Sequence, residues 1–529
     1  MKRAFVSFTA CMFAPVASLY SQTPATEPAA QAQTPTAAPA TEAQAPAAAP
    51  AAQATEPRPV LALSLDDALR IALEADLGLA IEETAVDVAR FDFAGSWGSF
   101  DPVWTATGSV SDSEFEASNV FQGGGNSSVI EEDTQNFNTG LDFPLTSGGT
   151  LSLEFDTNNS RSNSSAQLAE VSTTDLWTLS YTQPLLRGAW RSYATSRQRQ
   201  NELAWNQARE HQRQTRQELL LTVQNSYWDL VAALEQGKVA HTTLELGRQQ
   251  LDQNQRRLDA GVGTEVDVLQ AQANVAVREQ ERLQSQVDVK TAADRLKASL
   301  FANDFGRWEI EIDPITPLPT DVRYTVVPWQ AALSVALEER AEMRSQRLAI
   351  QRAEIDLQRA GNERQPTLDL TLSSSARGFD SDSSEAFDSA TSWEFPTSQA
   401  ALSFSLPIFN RTAKNAERSA RALVIRSHLE ADRVELSITT EVRNAVRQVE
   451  YQAEAVRAAT KSLELARRQL EAEEARYREG LSTTFQVLEF QQKLAEALSS
   501  EKRARAEFVK ATAALTKAQG LTEVGPRAK

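Results

Sequence analysis

Cysteine is almost missing from this 529-residue chain: Cys11 is the only one, and it lies close to the start. Its rarity excludes a disulfide framework, a cysteine-ligated zinc site and a thiol nucleophile from the remainder. Histidine is nearly as scarce. His211, His241 and His428 stand in polar, charged sequence with no metal spacing and no triad partner, so neither a metal nor another cofactor is expected. A basic excess is lacking as well. Lys and Arg number 53 against 71 Asp and Glu, for a net charge of -18, which repels a phosphate backbone and argues against nucleic acid as a partner. After the leader, no stretch of about 20 residues is free of charge, so no transmembrane helix is expected. Contact with a membrane would have to be made by strands.

What is present begins with a leader. Residues 1–21 read as a signal peptide: Lys2 and Arg3, an apolar run from Ala4 to Leu19, then small residues around Ala17 to Ser21. Phe8, Thr9 and Ala10 make a poor lipoprotein box before Cys11, which reads as a leader residue lost on cleavage. Residues 22–62 form a linker rich in Ala and Pro, whose composition up to 59 buries no apolar surface and favours disorder. Folded structure should start near Leu63, where Ser64 can cap a helix with Asp67 three residues on.

An internal repeat organises the rest. Residues 64–108 and 328–372 align without a gap: Ala68, Leu69, Ala72, Leu73 and Glu74 match Ala332, Leu333, Ala336, Leu337 and Glu338, and Pro102 matches Pro366. A second block aligns Gly261, Val268, Leu269, Ala292 and Leu296 with Gly480, Val487, Leu488, Ala511 and Leu515. The first copy spans 63–302 and the second 328–520, with a linker or equatorial region at 303–327 and a tail at 521–529. Each copy should run helix, strands, very long helix, tight turn, shorter helix.

The long helices carry heptads. Val223, Leu230, Leu244, Leu251 and Leu258 keep a seven-residue step with Gly237 in the gap, and Val442, Val449, Val456, Leu463, Leu470 and Tyr477 repeat it. Such a period specifies left-handed coiled-coil packing. From 188 to 260 there are roughly 72 residues, about 108 Å of helix. The shorter helices, near 64–99 and 264–302, together match that length, and the second copy balances 411–479 against 483–520 and 328–364. Each half is therefore expected to be a rod about 100 Å long.

Period-2 segments predict strands. Trp104, Ala106, Gly108 and Val110 alternate with Thr105, Thr107 and Ser109; Leu368, Leu370 and Leu372 alternate with Asp369, Thr371 and Ser373. Trp177, Leu179 and Tyr181, then Leu402, Phe404 and Leu406, do the same before Pro184 and Pro407. In an exported chain this pattern fits a membrane β-barrel, a soluble sandwich being the competitor. Four strands cannot close a barrel, so several chains must share one. A further hairpin at 137–155, across Ser147-Gly148-Gly149, has no match in the second copy; it either extends the barrel outside the membrane or joins the wall, giving 18 strands from three chains. Segments 115–135, 157–173 and 376–397, rich in Ser, Asn, Asp and Gly, read as outward-facing loops.

These features resemble the TolC-like outer-membrane efflux proteins, the outer membrane factors, over roughly 64–520. The most specific pieces are Arg257-Leu258-Asp259-Ala260-Gly261-Val262-Gly263-Thr264-Glu265-Val266-Asp267-Val268-Leu269-Gln270-Ala271 and Arg476-Tyr477-Arg478-Glu479-Gly480-Leu481-Ser482-Thr483-Thr484-Phe485-Gln486-Val487-Leu488-Glu489. Next come the strand-to-helix junctions, Gln183-Pro184-Leu185-Leu186-Arg187-Gly188 and Leu406-Pro407-Ile408-Phe409-Asn410. The resemblance implies a mixed, mainly helical fold: a homotrimer with a 12-stranded transmembrane barrel, four strands per chain, continued by a coiled-coil tunnel across the periplasm of a Gram-negative bacterium. It implies outer-membrane lipid, a periplasmic adaptor and an inner-membrane transporter as partners, and the role of exit duct for a tripartite efflux pump or a type I secretion system, without an enzymatic reaction. It also places the gate and adaptor docking at the rod tips, on Gly261, Val262, Gly263, Thr264, Gly480, Leu481, Ser482 and Thr483. Two acidic constriction positions of the family fall on Gln486 and Glu489, so the first acid is absent; Asp267 is a comparable candidate in the first copy. The competing readings are a trimeric surface stalk or adhesin without a lumen, which leaves the duplicated plan unexplained, and a secreted hydrolase, for which Asp66-Asp67 and Glu131-Glu132-Asp133 read better as a helix cap and a solvated loop.

Overall fold

The computed structural model describes residues 60–117, 129–164, 170–302, 304–320 and 327–522; the expected signal peptide, Cys11, most of the linker and the tail from 523 lie outside them. In chain order the elements are β1 (Val60–Leu63), α1 (Leu65–Ala75), α2 (Leu77–Ser96), β2 (Val103–Glu116), β3 (Val129–Pro144), β4 (Thr150–Ser162), β5 (Val171–Pro184), the single turn α3 (Arg191–Ala194), α4 (Ser196–Asp259) and α5 (Glu265–Leu300). There follow β6 (Glu311–Pro314), α6 (Trp329–Glu339), α7 (Ala341–Glu363), β7 (Thr367–Asp380), α8 (Ser383–Thr391), β8 (Pro396–Ser405), α9 (Arg411–Arg478) and α10 (Thr484–Ala518). The helix expected over 64–99 is two, because Asp76 stops α1 and starts α2 by accepting from Leu79 N at 2.8 Å. Arg340 breaks α6 from α7 at the corresponding place.

The helical section is built on two long rods. With 64 and 68 residues, α4 and α9 extend about 96 and 102 Å. Helices α1, α2 and α5 pack on α4, and α6, α7 and α10 on α9, while α7 and α10 also touch α4. The heptad seam of α9 is buried throughout, from Val442 to Tyr477. The α4 seam is buried at Val223, Leu230 and Leu244 and then shifts: towards the tip Gly247, Gln250 and Asn254 are buried in place of Leu251 and Leu258. At mid-rod the inter-repeat linker is stitched to the start of the fold, since β6 pairs in parallel with β1. Tyr227, fully buried, donates to Leu63 O at 3.1 Å and accepts from Thr316 N at 3.0 Å.

The remaining strands form one antiparallel sheet of six, in the order β2-β3-β4-β5-β7-β8. This corrects the expected four strands per chain. The inserted hairpin is long, β3 and β4 pairing over Glu132–Pro144 with Thr150–Ser162, and each of its strands pairs outward as well, with β2 and β5. A hairpin satisfied on both flanks is part of the sheet. Register separates the faces. Trp104, Leu141, Leu153 and Leu179 stand in one row, which ends in Ser374 and Ser398, and Phe143, Leu151, Tyr181, Leu372 and Ala400 in the next. On the other face run Thr105, Gly140, Glu154, Thr178, Ser375 and Thr397, then Asp142, Ser152, Ser180, Ser373 and Gln399. The sheet has one apolar and one polar face, as the alternation predicts. The expected loop at 376–397 is corrected too: β7 runs to Asp380, and α8 folds back onto β7 and β5.

Candidate functional site: the two helical tips

Both coiled-coil hairpins reverse by the same local chemistry. Gly261 at φ 74° and Gly480 at φ 75° occupy the left-handed region that glycine adopts at least cost. The residue after each donates back to the carbonyl five positions earlier, Val262 N to Arg257 O and Leu481 N to Arg476 O, both at 2.9 Å. That closes a Schellman stop. Thr264 then caps α5, accepting from Asp267 N at 3.2 Å while the Asp267 carboxylate accepts from Thr264 N at 3.3 Å. Thr483 and Gln486 form the equivalent box on α10. Gly263 has a steric role: a Cβ there would lie 2.9 Å from Leu258 N.

These bonds decide what the expected constriction residues can do. Asp267 and Gln486 are third-position members of capping boxes, and Asp267 is held below the ordinary carboxylate range mainly by Thr264, against a smaller opposing effect of burial and with help from Thr484 and Arg257. Glu489 is exposed on α10 and pairs with Lys493 one turn on at 2.6 Å. Ser482 donates to Glu473, a nearly buried carboxylate that Arg476 also contacts at 3.3 Å. Val262 and Leu481 project, 68% and 70% exposed, so each tip ends in an apolar side chain without a partner among the described residues.

The structure joins the two tips through Tyr477, expected as a seam residue, and through Asn254, for which no role was expected. Asn254, 1% exposed, is the hub. Its Oδ1 accepts from the Tyr477 hydroxyl and from Gln250 Nε2, each at 2.9 Å, and its Nδ2 donates to Asp267 O at 3.0 Å. The Tyr477 hydroxyl also lies 3.2 Å from Thr484 Oγ1, and the Arg257 guanidinium sits 4.6 Å over the Tyr477 ring. The network borders a polar cavity of about 150 Å³ lined by Asn254, Arg257, Gly263, Asp267, Tyr477, Ser482, Thr483 and Thr484. Tyr477 read as seam packing, which its ring provides against Val487 and Leu470. The overlooked signal was Gly247, Gln250 and Asn254 at spacings of three and four: polar residues continuing an apolar seam.

The junction residues are separate from this site. Pro184 is the last residue of β5, and the chain then turns through Gly188, whose N donates to Asn362 Oδ1 at 2.7 Å. Pro407 follows β8, and Asn410, at φ 41°, donates to Arg364 O at 2.8 Å before α9 starts. Among the described residues no group of three His, Cys, Asp or Glu could hold a metal ion, and no helix is long and apolar enough to cross a membrane.

Comparison with known proteins places this arrangement among others. A family model described as outer membrane efflux protein matches residues 147–300 and 332–521. The alkaline protease secretion protein AprF of Pseudomonas aeruginosa is 24% identical over 305 residues, a span covering 56% of this chain and 60% of AprF. Among solved structures, the outer-membrane channel OprN superposes with a TM-score of 0.63 at 17% identity, over 87% of this chain and 90% of its own. The outer membrane protein VceC of Vibrio cholerae gives 0.60 at 16%, over 86% and 96%. At these identities the superpositions speak for the fold.

Proposed function

Because the chain belongs to the outer membrane efflux protein family, we propose that it is the outer-membrane exit duct of a tripartite efflux pump or a type I secretion system, assembled as a homotrimer. The observation that carries this reading is the sheet, with an apolar face, a polar face and two edges unpaired among the described residues. Every residue of the edge strand β2 is exposed, as are nine of the ten of β8. Long bare edges demand pairing; β2 and β8 run in opposite directions, so copies of the chain can join edge to edge, antiparallel throughout. Three copies give 18 strands, with the apolar face towards lipid and the polar face lining the pore. The long rods continue that pore into the periplasm. The similar order of elements in the two halves supports reading them as copies of one plan.

The helical tips are the entrance. The Asn254–Tyr477 bond holds one hairpin of the chain against the other, so breaking it lets the tips part, and this network is the gate. Exposed Val262 and Leu481 offer an apolar surface to a periplasmic adaptor, which links the duct to an inner-membrane transporter. Asp267 and Glu489 set the charge of the entrance, Glu489 weakly because Lys493 offsets it. The name of AprF favours a protein as cargo. No catalytic step is assigned.

The test is electron microscopy of the protein extracted from outer membranes, joined to conductance in planar bilayers. A three-fold hollow tube with an 18-stranded wall and a rod section of about 100 Å, carrying current, is the expected result. A solid stalk without conductance would overturn the reading in favour of the adhesin.

A further inference from the structure

Helix α8 lies on the apolar face of the sheet. A Cβ on Gly378 would come within 1.8 Å of Ala386 O, so the helix backbone rests on that glycine. Ala376, on the same face two residues earlier, is fully buried, as are Ala386 and Ala390 of the helix. The Phe387 ring meets Phe155 edge-on at 5.6 Å, and Phe155 packs on Trp177 at 4.8 Å. Phe155, Trp177 and Ala376 are in register in one row, on the face that carries Leu153 and Leu179.

The row under α8 is where this face changes character. Phe155 and Ala376 are the last apolar positions of β4 and β7 on this face, and Trp177 that of β5 before Val171 at the strand's far end; the next row holds Thr157, Asp175 and Gly378 beside Phe137 of β3, and the one after it Asn159, Thr173 and Asp380 beside Val110 of β2. A carboxyl side chain is costly to place in hydrocarbon, so the apolar layer of a membrane ends about here. Asp175 and Thr173 are each only 3% exposed. Around the helix, Phe387, Trp393 and Phe395 stay 41%, 37% and 65% exposed, while Glu385 and Asp388 face away from the sheet's buried contacts. Exposed aromatics at the border of an apolar band are the marks of a membrane interface.

We propose that α8 is an interfacial helix: it stands outside the barrel at the headgroup level of the outer leaflet and binds lipid through Phe387, Trp393 and Phe395, while roofing over Asp175. The proposal rests on the barrel reading above, because it needs the apolar face to point outward. Its occupant is lipid and not a second copy of the chain, since α8 packs on β5 and β7 and sets Phe387 against Phe155 of β4, all strands inside the sheet, rather than on the edge strands β2 and β8 where copies would meet.

The sole cysteine is Cys11, so nitroxide can be attached to single cysteines introduced into the exported chain. Proteoliposomes carrying Leu153→Cys and Ser375→Cys report the two faces of the wall; Phe387→Cys, Phe395→Cys and Glu385→Cys report the helix. Relaxation by oxygen, which enters lipid, is compared with relaxation by a water-soluble nickel chelate. Oxygen should dominate at 153, 387 and 395, and the chelate at 375 and 385. Adding Gly378→Ala, which dislodges the helix without touching an exposed residue, should move the labels at 387 and 395 towards chelate dominance. If 153 behaves as lipid-facing while 387 and 395 remain in water, the proposal is overturned and the barrel stands. Chelate dominance at 153 would sink the barrel reading, and α8's role with it.

Discussion

The bond between Asn254 and Tyr477 can be tested by a double-mutant cycle. Tyr477→Phe removes the hydroxyl and keeps the ring that packs on Val487; Asn254 Oδ1 still accepts from Gln250. The contact with Thr484 Oγ1 is lost within the second hairpin, while the loss between the hairpins is one buried hydrogen bond, about 1 kcal/mol. That is roughly 5-fold in the equilibrium between joined and parted tips for each chain, and about 150-fold if three chains part together. Asn254→Ala removes the same contact between hairpins. It also strips Gln250 and the Asp267 carbonyl of their partner within the first hairpin, which costs about 2 kcal/mol more. Open probability in planar bilayers should therefore rise equally in both variants, and the double variant should add almost nothing. Thermal stability should fall further for Asn254→Ala. Additive effects on open probability, or a hydroxyl loss that lowers stability without opening the channel, would refute the gate.

Other perturbations follow from the same geometry. Gly480→Ala meets no atom within 4 Å, so its cost is the left-handed backbone alone, about 1 to 2 kcal/mol, and Gly480→Asn should recover part of it; hydrogen exchange at the start of α10 measures both. The depressed Asp267 carboxyl makes the α5 cap pH-dependent: its contribution is full above about pH 4, the unfolded Asp value, and is lost as pH falls through the lower folded value, so Asp267→Asn should lose stability near neutrality and match wild type in strong acid. Arg340, 4% exposed, pairs with Glu342 and with Glu441; Arg340→Ala should cost about 2 to 3 kcal/mol in thermal unfolding, less than a fully buried pair because Glu441 is partly solvated and keeps Lys517. Deleting 129–162 with a short loop in its place leaves β2 and β5 antiparallel neighbours, and the barrel should narrow by about a third as 18 strands become 12, an outcome that microscopy of the deletion reads directly.

The sequence by itself determined what depends on local chemistry and on period. Gly261 and Gly480 stop helices because few other residues take a positive φ cheaply, and Thr264 and Thr483 restart them because a hydroxyl can satisfy an unpaired amide. The seam of α9 was readable because every seventh residue is apolar, and the two faces of the sheet because strand side chains alternate. Tertiary structure decided what depends on partners distant in the chain. Whether the hairpin joined the sheet turned on both its flanks finding β2 and β5, and alternation is the same for a paired or a free strand. The helix in the segment 376–397 forms over Gly378, where the missing side chain admits Ala386; composition there resembles a solvated loop, since short helices owe their stability to what they pack on. Asn254 looks like any polar residue of a long helix until Tyr477, 223 residues away, brings a hydroxyl to it, and only the packing of one hairpin against the other makes that contact.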